Sequence, residues 1–260
     1  MIIPIPPTRQ QLQAINQHTK KYPLDIAEKD YYLCAALSIL AQSPLVNTLV
    51  FKGGTALHHC YLPQYRFSED LDFSCLRKNE LEFDQVQATL EHGGLFEVRK
   101  KYISPATFKI ERLRYAGILD QMGAIKVEID HLQNVVLEPQ MLPYHNIWNI
   151  PIELPVMDIR ELAAEKLRAA SQRSRYRDFY DLYLIFEQYA PLVDELVQLL
   201  RQKEVRRSIS TEGLRENWLR ASQEYAEGIG LIYYSRKIAL NDIAQLVSGI
   251  QFSPILASSG

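Results

Sequence analysis

Two aspartates, Asp70 and Asp72, are separated by one leucine and followed by Phe73. If this segment is a strand, both carboxylates point to one face of a sheet, whereas Leu71 and Phe73 point to the other face, towards a core. Two carboxylates this close repel each other unless a cation joins them, and Mg²⁺ bound with substrate phosphates prefers such oxygen ligands. The pair therefore predicts a magnesium site.

A glycine turn precedes the aspartates. The apolar run Leu45 to Phe51 predicts a short buried strand, which Gly53 and Gly54 would end, and Thr55 is the expected N-cap of a helix that continues to Tyr61. Glycines allow close approach of the backbone to a ligand, and a helix N-terminus attracts anions. The turn therefore predicts a binding site for a triphosphate.

Each of these patterns is unspecific when taken alone. An Asp-x-Asp triplet arises on any half-exposed strand that alternates in polarity, and a single Gly-Gly-Thr triplet says equally little. Their order is more informative, because a strand, a glycine turn, a helix and then an aspartate pair on the next strand is the arrangement that phosphoryl transfer needs.

A third carboxylate would complete a site for two metal ions. Lys126, Glu128 and Asp130 share one face of the predicted strand Ala124 to Asp130. Glu128 is the first choice as the third metal ligand, and Asp130 is the reserve candidate. A charged, solvated strand face explains either residue equally well.

A second group of candidates lies about ninety residues further along, on predicted helices. Lys166 could bind the β and γ phosphates, and Asp178 could orient that lysine or a metal-bound water. Charge pattern alone favours the plainer explanation, an exposed pair of helices joined by salt bridges. The neighbouring arginines could hold a nucleic-acid acceptor, and these are Arg173, Arg175 and Arg177.

Composition restricts the possible classes of protein. The chain has 260 residues, 47% of them hydrophobic, so one large domain or two smaller ones can form a core. Its three cysteines lack CxxC spacing, and its start resembles no signal peptide, so we expect a reducing, cytoplasmic setting and no membrane span. A net charge of −2 excludes general attraction to nucleic acid, but the segments Arg160 to Asp181 and Arg201 to Arg220 are locally basic.

Hydrophobic spacing predicts a mixed α/β (α+β) region over residues 1–155 and a mainly helical region over residues 156–260. The predicted strands after the aspartate strand Leu71 to Cys75 are Phe96 to Ile103, Thr107 to Tyr115 and Ala124 to Asp130. The predicted helices are Ala27 to Leu40, Leu81 to Leu90, a helix capped by Asp158 through Ala170, Arg177 to Tyr189, Pro191 to Lys203 and Ser235 to Val247. The proline-rich segment Pro139 to Pro155 separates the two regions.

The runs KGGTALHHCYLPQYRFSEDLDF and RELAAEKLRAASQRSRYRDFYDLY together resemble the AbiEii/AbiGii type nucleotidyltransferase toxin family. The resemblance covers Leu49 to Tyr183. It implies a core of the polymerase β type with a mixed sheet, followed by a helical part that contributes Lys166 and Asp178 to the site. It also implies a toxin of a toxin–antitoxin pair, and some similar toxins add nucleotides to the 3′ end of transfer RNA.

By the same resemblance, Gly53, Gly54 and Thr55 form the nucleotide-binding turn, with threonine where the wider superfamily usually has serine. Ser68 belongs to the catalytic strand beside Asp70 and Asp72, and Arg66 could assist in binding the triphosphate. Glu128 stands where an aspartate is expected.

We therefore expect Mg²⁺-dependent transfer of a nucleoside monophosphate from a nucleoside triphosphate to a hydroxyl, on RNA such as the 3′ end of transfer RNA, with a possible cognate antitoxin. Two other functions remain open. The same site could transfer a γ-phosphoryl group as a kinase, or the protein could bind RNA or a partner without catalysis.

Overall fold

In the computed structural model the chain divides into two units, and the structure describes residues 2–76, 81–203, 205–228 and 232–257. The sheet unit consists of Met1–Val135 and Pro139–Met157, and the helical unit of Val136–Glu138 and Asp158–Gly260. The division after Met157 lies two residues beyond the boundary expected from the sequence. Residues 136–138 belong with the helices because the backbone N–H groups of Val136 and Leu137 donate to the buried Glu161 carboxylate.

The described part of the sheet unit contains one seven-stranded mixed sheet, in the order β3-β4-β5-β2-β1-β7-β6. Pairs β2–β5 and β1–β7 are parallel, and the other neighbours are antiparallel. The strands are β1 (Leu49–Lys52), β2 (Asp70–Cys75), β3 (Glu97–Ile103), β4 (Thr107–Ala116), β5 (Met122–Asp130), β6 (Gln140–Pro143) and β7 (Glu153–Val156).

Four of the predicted strands are confirmed, because β2 to β5 begin and end within two residues of the expected positions. The expected strand from Leu45 is wrong at its start. Pro44 to Asn47 form a 3-10 turn, in which the Ser43 side chain accepts from the Leu45 N–H, and β1 begins only at Leu49. The proline-rich segment contains β6 and β7, which were not expected there because proline donates no ladder hydrogen bond.

The helices of the sheet unit are α1 (Arg9–His18), α2 (Leu24–Ala41), α3 (Gly53–Ala56) and α4 (Phe83–Glu91), and a π-helical turn, Leu57–Tyr61, follows α3. Helix α1 was not predicted, although Thr8 and Gln11 form a capping box at its start. Helix α2 is buried around most of its circumference from Tyr31 to Leu40, which explains the nearly continuous apolar sequence of this second half.

The helical unit contains α5 (Ile159–Gln172), α6 (Tyr176–Tyr189), α7 (Val193–Arg201), α8 (Thr211–Ala226) and α9 (Leu240–Gly249). The predicted cap is confirmed, since Asp158 accepts from the Arg160 N–H. Helix α8 was not predicted, although Leu214, Trp218 and Ala221 bury one side of it.

The expected start of the last helix at Ser235 is wrong, because α9 begins at Leu240. Tertiary contacts hold the preceding residues in place instead. The Arg236 guanidinium forms two hydrogen bonds to Glu187, and the Arg236 carbonyl accepts from the Tyr180 hydroxyl. None of the described helices is both long and apolar enough to cross a membrane.

Asp30 of α2 is a carboxyl group buried in the core of the sheet unit. Trp148 Nε1 donates to it over 2.8 Å and Gln64 Nε2 over 3.1 Å. Burial nevertheless raises the pKa of Asp30 to about 6. At neutral pH the folded protein therefore holds a buried charge that the unfolded chain would expose to water.

Asp30→Asn should make the free energy of unfolding less dependent on pH. Because folding raises the pKa of Asp30 to about 6, its contribution to stability is fully present below about pH 4 and is lost as the pH rises through 6, with a loss of about 2 kcal/mol between pH 4.5 and 7.5. Urea unfolding at the two pH values measures this loss. The control is Asp25→Asn, at an exposed position of the same helix, which should lose as much unfolding free energy between the two pH values as the wild type does. An equal loss in Asp30→Asn would show that the buried charge does not cause it.

Candidate active site

The glycine turn lies at the end of β1 and bends the chain directly into α3. Gly53 has φ +79°, a conformation that residues with a Cβ rarely adopt. Helix α3 begins at Gly53 with Lys52 as its N-cap, so the expectation that Thr55 caps the helix is wrong. The Thr55 hydroxyl instead donates to the Asp70 carbonyl over 2.5 Å and joins the turn to β2.

The two glycines make room for side chains of the protein itself. A Cβ at Gly53 would lie 2.9 Å from Asp72 Cβ and closer still to its Oδ2. A Cβ at Gly54 would lie 2.8 Å from Ser68 Oγ and closer still to the Arg66 guanidinium. Arg66 is almost fully buried, and its Nη1 donates to the Phe67 carbonyl. The structure thus brings Gly53, Gly54, Ser68, Arg66 and Asp72 together.

The aspartate pair has the expected orientation on β2. Asp70 and Asp72 are half-buried, whereas Leu71 and Phe73 are 0% and 2% exposed on the opposite face. In the parallel pairing with β5, Asp72 lies beside Glu128. The carboxylates therefore share one face of the sheet with the predicted third acid.

The two candidates for the third acid differ in their contacts. Glu128 Oε2 lies 3.4 Å from Lys126 Nζ and 3.8 Å from Lys109 Nζ. Asp130 accepts from the N–H groups of Leu132 and Gln133 through Oδ1, and its Oδ2 is 3.5 Å from Lys52 Nζ. Asp130 therefore organises the chain after β5, and Glu128 stays the predicted third ligand.

The donors of this site suit magnesium bound jointly with a substrate. Across the described residues, no three or more carboxylate, imidazole or thiol groups form an enclosing metal site. Mg²⁺ commonly takes one or two carboxylates from the protein and completes its octahedron with phosphate oxygens and water. Asp70 and Asp72, on one half-exposed face, offer that number of carboxylates.

In the helical unit, Lys166 and Asp178 form part of a buried ionic cluster. Lys166 Nζ lies 2.7 Å from Asp181 Oδ2 and 3.6 Å from Asp178 Oδ1. Arg173 donates to both Asp178 oxygens, over 2.7 and 3.0 Å. Burial alone would raise the pKa of Asp178, but the charges of Lys166 and Arg173 outweigh it and hold the pKa below its ordinary value.

This cluster changes three expectations. The ion-paired side chains of Lys166, Asp178 and Asp181 are buried rather than exposed. Asp181 was missed as a partner of Lys166. It follows Asp178 by three residues on α6, so the two side chains are neighbours on one side of that helix. The Arg173 guanidinium, which was expected to contact the acceptor, binds Asp178 as well, and acceptor binding by Arg173, Arg175 and Arg177 stays a prediction. That Lys166 and Asp178 share a site with Asp70 and Asp72 stays a prediction.

Gly53→Ala should destabilise the protein more than Gly94→Ala. Gly94 has φ +71° with nothing near an added Cβ, so the two variants share backbone strain of about 1 to 2 kcal/mol. Only at Gly53 does the new methyl group collide with Asp72, which should cost about 1 to 3 kcal/mol more. Urea unfolding compares them, and equal losses would show that Asp72 moves aside freely.

Comparisons with known proteins identify the family and the fold of this chain. A family model described as nucleotidyl transferase AbiEii toxin, type IV toxin–antitoxin system, matches residues 35–240. No curated protein sequence matches the chain. Among solved structures, the fold is similar to MenT4, a nucleotidyltransferase toxin from Mycobacterium tuberculosis, with a TM-score of 0.57, 22% identity, and coverage of 89% of this chain and 76% of that chain.

The fold is also similar to JHP933 from Helicobacter pylori, with a TM-score of 0.50, 19% identity and coverage of 93% of both chains. These similarities concern the α/β fold, and the family match concerns more than half of the sequence. The predicted fold class and the resemblance are confirmed: the chain is an enzyme of the nucleotidyltransferase class and belongs to the AbiEii toxin family of type IV toxin–antitoxin systems.

Proposed function

We propose that this protein transfers a nucleoside monophosphate from a nucleoside triphosphate to a hydroxyl of RNA, such as the 3′ end of transfer RNA, in a Mg²⁺-dependent reaction. The observation that carries the proposal is the packing of the Asp72 carboxylate against Gly53, beside Asp70 on the same strand face. A carboxylate pair next to a tight turn can hold the metal ions that neutralise negative charge on phosphate oxygens during phosphoryl transfer.

Asp70 and Asp72 would hold the magnesium. When bound, the ion would supply a positive charge to lower the pKa of the attacking hydroxyl and to neutralise the departing pyrophosphate. Arg66 and Ser68, which pack at Gly54, would orient the phosphates next to the carboxylates. Lys166, held by Asp178 and Asp181, would bind the triphosphate as a point charge.

The bonds balance without another reactant. The acceptor oxygen forms a bond to the α-phosphorus, and the bond from that phosphorus to the bridging oxygen breaks. Pyrophosphate leaves with the electron pair, and the hydroxyl proton passes to water or to a carboxylate of the pair. We place the reaction in the cytoplasm, where a reducing environment would keep the free thiols Cys34, Cys60 and Cys75 reduced. A cognate antitoxin would be its regulator.

Asp70→Ala and Asp72→Ala should each abolish transfer while the fold is retained, because each change removes a metal ligand worth several kcal/mol to the transition state. The assay combines purified protein, Mg²⁺, each labelled nucleotide and total cellular RNA, and the product mass is measured. Addition of a whole nucleotide supports the proposal. Addition of phosphate alone would identify a kinase, and near wild-type turnover by both variants would refute the metal assignment.

Glu128→Gln should lower turnover more than Asp130→Asn, since Glu128 lies beside Asp72 whereas Asp130 caps two backbone N–H groups. Asp130→Asn should instead lower the melting temperature. Turnover and thermal unfolding of both variants decide the matter. Mild and equal losses of turnover would mean that nucleotide and water oxygens complete the coordination.

A further inference from the structure

One row of side chains crosses the sheet from its outer edge to the candidate site. Tyr102 on β3 pairs with Lys109 on β4, Lys109 with Glu128 on β5, and Glu128 with Asp72 on β2. Residues paired across strands project to the same face, and neighbouring strands lie about 4.8 Å apart. Tyr102 therefore lies about 14 Å from Asp72 on the face that bears the carboxylates.

The outer part of this face is basic. Lys100 pairs with Arg112 in the row beside Tyr102, and both side chains are exposed. Arg114 lies on the same face, opposite Glu97. Two acids, Glu97 and Glu111, accompany these cations, and Glu111 contacts Lys109 over 2.7 Å and is also close to the charge of Lys100. The four basic residues of this part of the face, Lys100, Lys109, Arg112 and Arg114, outnumber them.

The opposite face of the same edge strand has a different partner. Lys101 pairs with the buried Ile110, and its Nζ donates to Gln87 of α4 over 2.8 Å and lies 3.6 Å from Asp84. Lys100 and Lys101 thus carry equal charges on adjacent residues, but only Lys100 shares a face with the carboxylates.

We propose that the acceptor RNA strand crosses the exposed face of β4 and β3 to reach the carboxylates, with phosphates on Lys100 and Arg112 and a base stacked on Tyr102. This inference rests on the proposed function. Charge complementarity supports it, because a polyanion must be attracted to a site whose own carboxylates repel it, on a protein with a net charge of −2.

The exposed aromatic ring supports the same occupant. Tyr102 is 59% exposed at the edge of the sheet, whereas the tyrosine that stacks on Tyr32 in the core, Tyr115, is buried. A single-stranded nucleic acid binds to cations that follow its backbone and to aromatic rings on which its bases stack. Lys100, Arg112 and Tyr102 supply both kinds of group within two adjacent strands.

The test measures binding of labelled deacylated transfer RNA to the full chain by fluorescence anisotropy at several salt concentrations. In a plot of the logarithm of the binding constant against the logarithm of the salt concentration, each phosphate contact on a single strand contributes about 0.7 to the slope. Over the tenfold range from 1 M to 0.1 M salt, one contact therefore strengthens binding about fivefold. The double variant Lys100→Ala, Arg112→Ala should therefore bind roughly 25-fold more weakly at 0.1 M salt, with a slope less steep by about 1.4.

The matched controls separate position from charge. Lys101→Ala should stay within about twofold of wild type. Tyr102→Ala should weaken binding at least about fivefold at an unchanged salt slope, and Tyr102→Phe should restore it. If the double variant matches Lys101→Ala in affinity and slope, the proposal is overturned. If instead the wild type adds no nucleotide to RNA in the product-mass assay, the proposed function is overturned, and this outcome does not depend on the binding measurement.

Discussion

The close approach of the Asp72 carboxylate to the α-carbon of Gly53 is the constraint on which the candidate site depends. It requires a residue without a Cβ at Gly53, and the positive φ of that residue turns the chain from β1 into α3. The hydroxyl of Thr55 then joins the turn to the backbone of β2. The positions of the carboxylates and of the turn are therefore set by one local packing arrangement.

The sheet distributes its charges along the face that carries this arrangement. Lys109 lies between Glu111 and Glu128, and the bond to Glu111 is the main reason that the pKa of Lys109 is raised. Near Asp72, Glu128 and Asp130 thus each have a lysine as a neighbour. On β3 and β4, Lys100, Arg112 and Arg114 outnumber the acids Glu97 and Glu111 that lie among them. A nearly neutral protein can present a locally positive surface in this way.

The helical unit is organised by buried ion pairs. Lys203 and Glu161 are both fully buried, and Lys203 Nζ lies 2.5 Å from Glu161 Oε1 and 3.1 Å from Glu165 Oε1. Glu161 also accepts from the backbone N–H groups of Val136 and Leu137, so one carboxylate connects this short segment and the residues after α7 to α5. Removing one member would leave a buried charge without compensation, which is far more damaging than losing a surface pair.

The amino-acid sequence by itself determined the features that depend on local periodicity. The alternation of Asp70, Leu71, Asp72 and Phe73 predicted which face of β2 carries the carboxylates, and helical spacing predicted the change from a mixed region to a helical one. The two sequence runs also led to the correct family.

Only the tertiary structure decided which distant residues meet. Register between strands far apart in the sequence placed Glu128 beside Asp72 and Tyr102 in the same row, and the contacts of Asp130 with the chain after β5 showed its structural role. Contacts between helices revealed Asp181 as a partner of Lys166. Arg236, expected within the last helix, lies before its start and bonds to Glu187 instead. Such pairings depend on side chains from separate elements, and no short stretch of sequence encodes them.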